Sequence, residues 1–523
     1  LERPALAVAG EALSSSDQQA LEGFLGLDKS NPKIWEKWQK TIKILDGIEG
    51  SWARAKGLVG KMKDEWGMDL KSPGLGDKGP LLTILKKTAR DLPQRRLLEV
   101  VENFRTAFGI EMVKLSNDRL RRRVLTSGVH IGGNWGFVED FLRLIGERFG
   151  LTRERIIRLK DKDKIRILTA AYHVSLGKEE GVKAFEKTLD LINTRTGLSA
   201  KAVKELDLKD QLRILTAAYA VSLGKEEGVK AFEKTLDLIN TRTGLSAKAV
   251  KELDLKDQLR ILTAAYNVSL GKEEGVKAFE KTLDLINTRT GLSAKAVKEL
   301  DLKDQLRILT AAYAVSLGKE ERVKAFEKTL DLINTRTGLS AKAVKELDLK
   351  DQLRILTAAY NVSLGKEERV KAFEKTLDLI NTRTGLSAKA VKELDLKDQL
   401  RILTAAYNVS LGKEEGVKAF EKTLDLINTR MGLSAKAVKE LDLKDQLRIL
   451  TAAYNVSLGK EEGVKAFEKT LDLINTRMGL SAKAVKELDL KDQLRILTAA
   501  YNVSLGKEEG VKAFEKTLDL INT

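Results

Sequence analysis

One position in this chain changes while its surroundings stay fixed. Residues 214–227 read ILTAAYAVSLGKEE and residues 261–274 read ILTAAYNVSLGKEE, so Ala220 has become Asn267 between identical flanks. Through the successive copies the position reads His173, Ala220, Asn267, Ala314, Asn361, Asn408, Asn455 and Asn502. The three residue types could do distinct chemistry on bases. Asn pairs bidentately with adenine, Ala touches a thymine methyl, and His donates to a guanine acceptor. One residue per repeat reading one base is a strategy that helical repeats use. Two other sites vary. One is Gly181, Gly228 and Gly275, then Arg322 and Arg369, then Gly416, Gly463 and Gly510; the other runs from Thr196 to Thr384 and then becomes Met431 and Met478. A single base change makes Gly→Arg or Thr→Met, so drift accounts for those two. It cannot make Asn→Ala.

A helix advances about 100° per residue. On that geometry Ala220 lies away from Leu212, Leu215 and Tyr219 and shares a face with Lys209, Arg213 and Thr216. Stacked copies would line these faces up as a basic concave groove. Its helical cations would be Arg166, Arg213, Arg260, Arg307, Arg354, Arg401, Arg448 and Arg495. Its turn cations would be Lys178, Lys225, Lys272, Lys319, Lys366, Lys413, Lys460 and Lys507. Such groups hold phosphates, which position a nucleic acid but carry no sequence. A protein or peptide lying in the groove is the other expectation, since extended concave binding surfaces are the usual product of α-solenoids.

The elements that must position these residues are helices. The phrase TGLSAKAVKELDLKDQLRILTAAY starts at Thr196 and returns every 47 residues, with Gly197, Gly244, Gly291, Gly338, Gly385, Gly432 and Gly479 marking the copies. Periods of this size belong to helical solenoids. Gly197 suits a left-handed position that ends the preceding helix. Ser199 can cap a short helix, AKAVKEL, and Asp207 a second helix running to about Ser222. Leu208, Leu212, Leu215, Tyr219 and Ser222 form its inward stripe. Gly224 is expected to break the chain before a third helix, whose Val229, Phe232, Leu236 and Ile239 face the core. The expected fold is all-α: a right-handed solenoid of 47-residue repeats, each of about three helices with one short.

The expected organisation is a terminal segment at 1–23, about three diverged repeats at 24–150, and the regular array at 151–523. The diverged part rests on glycines at Gly26, Gly67, Gly109 and Gly150, with KSPGLGDKGP (71–80) as a loop. A separate helical cap is the alternative. The chain opens on Leu1 and stops at Thr523 in mid-phrase, so it is expected to be a trimmed or processed product.

Composition excludes several classes. The chain has no cysteine and two histidines, His130 and His173, which leaves no disulfide, no thiolate metal site and no zinc or histidine-base enzyme. LGKEE lacks the spaced glycines and the Lys-Ser/Thr ending of a phosphate loop. No apolar run approaches the roughly 20 residues of a membrane span. The net charge of +17 favours an anionic partner, although one copy, with eight basic and seven acidic residues, carries only +1.

Residues 129–156, VHIGGNWGFVEDFLRLIGERFGLTRERI, resemble a TAL-effector repeat. His130, Ile131, Gly132 and Gly133 match that family's variable pair and its glycines, and Gly150, Leu151 and Thr152 match the opening of its next unit. The resemblance implies that His130 and the His173/Ala220/Asn267 series read bases. It also implies that diverged N-terminal repeats grip DNA without reading it, a role that would fall to Arg121, Arg122 and Arg123. The regular repeats depart from the family in their length, their extra short helix and a turn, VSLGKEE, with one glycine in place of two.

The combined expectation is a modular binding protein and not an enzyme. Nucleic acid is its partner, with DNA favoured over RNA, and a nuclear or nucleoid location would follow. A protein- or peptide-binding scaffold, such as a secreted effector, is the alternative. No cofactor, metal, membrane or small-molecule substrate is expected.

Overall fold

The computed structural model describes residues 22, 32–46, 51–66, 68, 82, 94–116, 118–131 and 133–522. All elements among them are helices. The contacts divide the chain into two compact units, Leu1–Glu233 and Lys234–Thr523. This division falls inside a long helix, Lys225–Arg242.

The second unit shows how the sequence dictates one repeat. Gly244 ends the preceding helix with φ +78°. Ser246 Oγ accepts from the Ala249 amide at 3.1 Å and starts a short helix, Ala247–Lys251. Asp254 accepts from the Asp257 amide at 2.8 Å and starts a middle helix, Leu255–Leu270. A long helix, Lys272–Arg289, follows, with Glu273 and Glu274 in the first turn where the helix dipole favours them. The other regular repeats keep this order, except that the short helix of the copy beginning at Gly338 is a 3-10 turn, Ala343–Glu346.

The middle helix is buried on more sides than its leucine stripe suggests. Ile261, Ala264, Ala265 and Val268 are buried together with Leu259 and Leu262. Lys256, Arg260 and the half-exposed Thr263 are left facing out. Within this unit each middle helix packs on the next, and each long helix on the next. One phenylalanine in each copy but the last, such as Phe279, Phe326 and Phe373, is fully buried in the long-helix layer.

Two features join the parts. Gln352 donates to the carbonyls of Val344 at 3.1 Å and Leu347 at 3.0 Å, tying the short turn to its middle helix. The same Gln passes close to the previous copy: a Cβ on Gly291 would lie 2.8 Å from Gln352 Cδ. Gly291 is therefore required both by its φ of +77° and by this approach.

The turn before the long helix differs from expectation. Gly271 has φ −73°, an ordinary right-handed value, and the residue in the left-handed region is the next one, Lys272, at φ +51°. The glycine is there for space: a Cβ on Gly271 would lie 2.8 Å from Gly275 Cα, and one on Gly275 would lie 2.4 Å from the Val268 carbonyl oxygen. Where Arg replaces the second glycine the turn opens slightly. The Arg369 amide lies 3.4 Å from Gly365 O, against 3.1 Å for Gly416 to Gly412.

In the first unit, residues 109–149 follow the same order. Gly109 has φ +62°, a 3-10 turn at Met112–Lys114 takes the place of the short helix, and helices Asp118–Ile131 and Trp135–Phe149 correspond to the middle and long ones. These two pack on Asp161–Leu176 and Lys178–Arg195 as regular copies pack on one another. Gly26, Gly67, the loop at 71–80 and most of residues 1–93 lie outside the described residues.

Candidate ligand groove and the interchangeable position

The middle helices of three consecutive repeats border a groove of about 600 Å³. Asp351 and Arg354 come from the first, Lys397, Arg401 and Thr404 from the second, and Thr451 and Tyr454 from the third. Arg354 and Arg401 are exposed, and each pairs with the Asp one turn before it, Asp351 at 3.1 Å and Asp398 at 2.7 Å. Lys397 is exposed and makes no ion pair among the described residues. Each rung thus offers two cations against one carboxylate. Arg307 also reaches the Thr357 hydroxyl of the next copy at 3.4 Å, so the rungs are neighbours.

The expected cations do not share one surface. The turn lysines border a different cleft, of about 970 Å³, lined by Asn455, Leu458, Lys460, Glu461, Glu462 and Lys507 among others. They are largely neutralised by the preceding copy: Lys225 meets Glu180 at 3.0 Å, Lys413 meets Glu368 at 3.2 Å and Lys507 meets Glu462 at 3.2 Å. The side chain of Lys319 lies outside the described residues. Arg121 is occupied structurally, donating to the carbonyls of Met112 at 2.9 Å, Val113 at 3.2 Å and Leu115 at 2.9 Å. Arg123 is exposed, and Arg122 is half-buried. Gly132 lies outside the described residues.

The interchangeable residues are half-buried, apart from the exposed Asn502 of the last copy. Asn and His side chains at this position reach the tyrosine of the following repeat, and His173 also packs on Tyr172 of its own repeat with centroids 4.6 Å apart. Asn267 donates to Tyr313 Oη at 2.8 Å, Asn361 to Tyr407 Oη at 2.9 Å and Asn408 to Tyr454 Oη at 2.8 Å. His173 stacks on Tyr219 with centroids 5.7 Å apart and planes 2° from parallel. His130 stands in the same relation to Tyr172, tilted, at 5.6 Å, while its Nδ1 lies 2.7 Å from the Thr126 carbonyl oxygen. Burial first, and then the charge of Arg123, hold the His173 imidazole below its ordinary value.

The second variable site touches the first. Arg322 donates to the Ala314 carbonyl at 2.6 Å and Arg369 to the Asn361 carbonyl at 2.7 Å. At the third site, Thr290 is fully buried and caps the Ile286 carbonyl, whereas Met431 is buried and extends its long helix by one residue and Met478 is exposed.

The sequence places Lys209 on the Arg213 face, but neither it nor its equivalents, Lys350 and Lys397 among them, were counted among the groove cations, and the tyrosines were not singled out as groove residues. The tyrosine was assigned to the core stripe, and its position beside the groove depends on how one repeat is set against the next. Compared with known proteins, the chain matches no family model, no curated protein and no solved structure.

Proposed function

We propose that the protein is a helical-repeat binding protein whose middle helices receive a nucleic acid along their groove. The observation that carries this reading is the recurrence of one exposed lysine and one exposed arginine per repeat along a single groove, as at Lys397 and Arg401. A polymer with a charge at every residue is the natural match for evenly repeated cations. The likeness of residues 129–156 to a TAL-effector repeat makes DNA the first candidate. In this reading the arginines and lysines hold phosphates, and the contents of the groove between them supply any discrimination.

The test is binding of a labelled oligonucleotide at increasing salt. Affinity is expected to fall steeply, and Arg354→Ala and Arg401→Ala are each expected to lower the slope of log K against log salt by about 0.7–0.9. Absence of binding at low salt, or a slope that neither variant moves, would refute the reading. One observation favours a peptide-binding scaffold as the second reading: most cations outside the groove, such as Lys277 with Glu273 and Lys281 with Glu327, are already paired within the array. That reading requires a protein partner retained after nuclease treatment.

A further inference from the structure

We infer that the groove takes a single-stranded nucleic acid whose bases stack on one tyrosine per repeat, and that the interchangeable residue of the preceding repeat sets how that ring is presented. This rests on the reading of the groove as a nucleic-acid site and names the form of the ligand.

The first observation concerns which aromatic residues are available. Each regular repeat has two, a Phe in the long helix and a Tyr in the middle helix. The Phe is fully buried in every copy but the last, as at Phe373 and Phe420. The Tyr is half-exposed, and Tyr454 lines the groove beside Arg401 and Thr451. Cations that follow a backbone, interleaved with aromatic rings that accept bases, are the usual composition of a single-strand site. In a duplex the base faces are covered by their neighbours, and a side chain reaches them only at the cost of unstacking a step.

The second observation concerns the interchangeable residue. A base-reading Asn must turn its amide toward a base edge. Here the Asn408 amide is held on the Tyr454 hydroxyl of the next repeat. Its effect on a ligand therefore passes through the ring. The three residue types give three arrangements. His173 lies parallel to Tyr219 with ring centroids 5.7 Å apart, Asn408 holds Tyr454 by its hydroxyl, and Ala314 has no side-chain donor to offer Tyr360. Asn408 is thus a positioning residue, and Tyr454 is the residue placed to meet the base.

The test compares three probes on the full chain: a single-stranded oligodeoxynucleotide, the same strand with abasic sites, and the duplex. The intact single strand is expected to bind best. Tyr407→Leu and Tyr454→Leu are each expected to weaken it by about 5- to 100-fold, the range for losing one stacked base, without changing the abasic strand. Tyr454→Phe keeps the ring but loses the hydroxyl that Asn408 holds, so it is expected to keep the preference for the intact strand over the abasic one and to shift base preference as Asn408→Ala does. It also separates a lost platform from a damaged fold, which circular dichroism of each variant checks. Asn408→Ala is expected to change the preferred base composition and leave the salt slope unaltered. If Arg354→Ala weakens binding but the Leu variants do not, or if the duplex or abasic strand binds as tightly as the intact strand, the tyrosine inference is overturned while the groove reading stands. An unchanged base preference in Asn408→Ala overturns the positioning role. No binding of any probe removes the groove reading, and this inference with it.

Discussion

Asn408 gives its side-chain amide to the hydroxyl of Tyr454, 46 residues further along and one repeat away, at 2.8 Å. Tyr454 immediately precedes its own interchangeable residue, Asn455. In the second unit, each Asn that makes this bond therefore joins its own repeat to the next. The exchange of Asn for Ala alters the joint between repeats as well as the surface beside it.

That joint has a measurable strength. A part-buried neutral hydrogen bond contributes about 0.5–1.5 kcal/mol. A double-mutant cycle on Asn408→Ala and Tyr454→Phe is expected to give a coupling in that range, read from denaturant unfolding. Strictly additive effects of the two substitutions would show that the bond contributes nothing in solution.

Gly291 gives a larger effect. Its φ is +77°, and a Cβ there would lie 2.8 Å from Gln352 Cδ and 3.0 Å from the Val344 carbonyl oxygen. The side chain could move, but the carbonyl belongs to the short turn that Gln352 itself holds. Gly291→Ala is expected to cost about 1–3 kcal/mol, combining left-handed strain with the displaced contact. Faster hydrogen exchange in residues 343–352 than in the copies on either side would locate the damage. An alanine variant as stable as the parent protein would mean that neither constraint operates.

His173 predicts a pH dependence. Burial and the nearby Arg123 depress its folded value below the ordinary 6.5, so the unfolded chain takes up the proton first as pH falls. The contribution to stability is complete above about pH 6.5 and declines between that value and the lower folded one. His173→Asn, which installs the residue found in later copies, is expected to flatten stability across about pH 7.5 to 5.5. Glu179 in the adjoining turn is held below its ordinary 4.5 by its hydrogen bond from Lys183 and lies outside that window. A parent protein already flat across that window would remove His173 as the cause.

Local rules made the repeat legible. The caps at Ser246 and Asp254 and the left-handed Gly244 follow from residue type alone, and all three occupy the positions that the sequence assigns to them. What was not legible depends on contacts outside the helix that carries the residue, across a tight turn or 46 residues away in the next copy. Whether Tyr313 belongs to the core or the groove edge is decided by Asn267 in another copy. Whether Gly271 serves conformation or space is decided by the Val268 carbonyl and Gly275 across a tight turn. Periodicity gives the face on which a residue sits but not what the neighbouring copy brings to it. The arginines and turn lysines were therefore placed together, although the fold puts them in separate clefts.

The repeats could be held together by charge or by burial, and magnitudes decide between them. The long helices are bridged by Arg383 and Asp425 at 2.8 Å, with the side chains 36% and 51% exposed. Exposed pairs of this kind contribute about 0–1 kcal/mol. Phe373, nearly three turns earlier in the same long helix as Arg383, is fully buried, and truncating a buried Phe costs about 3–5 kcal/mol. Burial should therefore dominate by several-fold. Asp425→Asn is expected to shift the unfolding midpoint slightly, and less so at high salt, whereas Phe373→Ala is expected to open its own copy and the adjoining ones, because each repeat is stabilised by its neighbours. Hydrogen exchange along the array separates these outcomes. If Asp425→Asn loosened the array as much as Phe373→Ala, ion pairs and not the phenylalanine layer would hold the repeats in place.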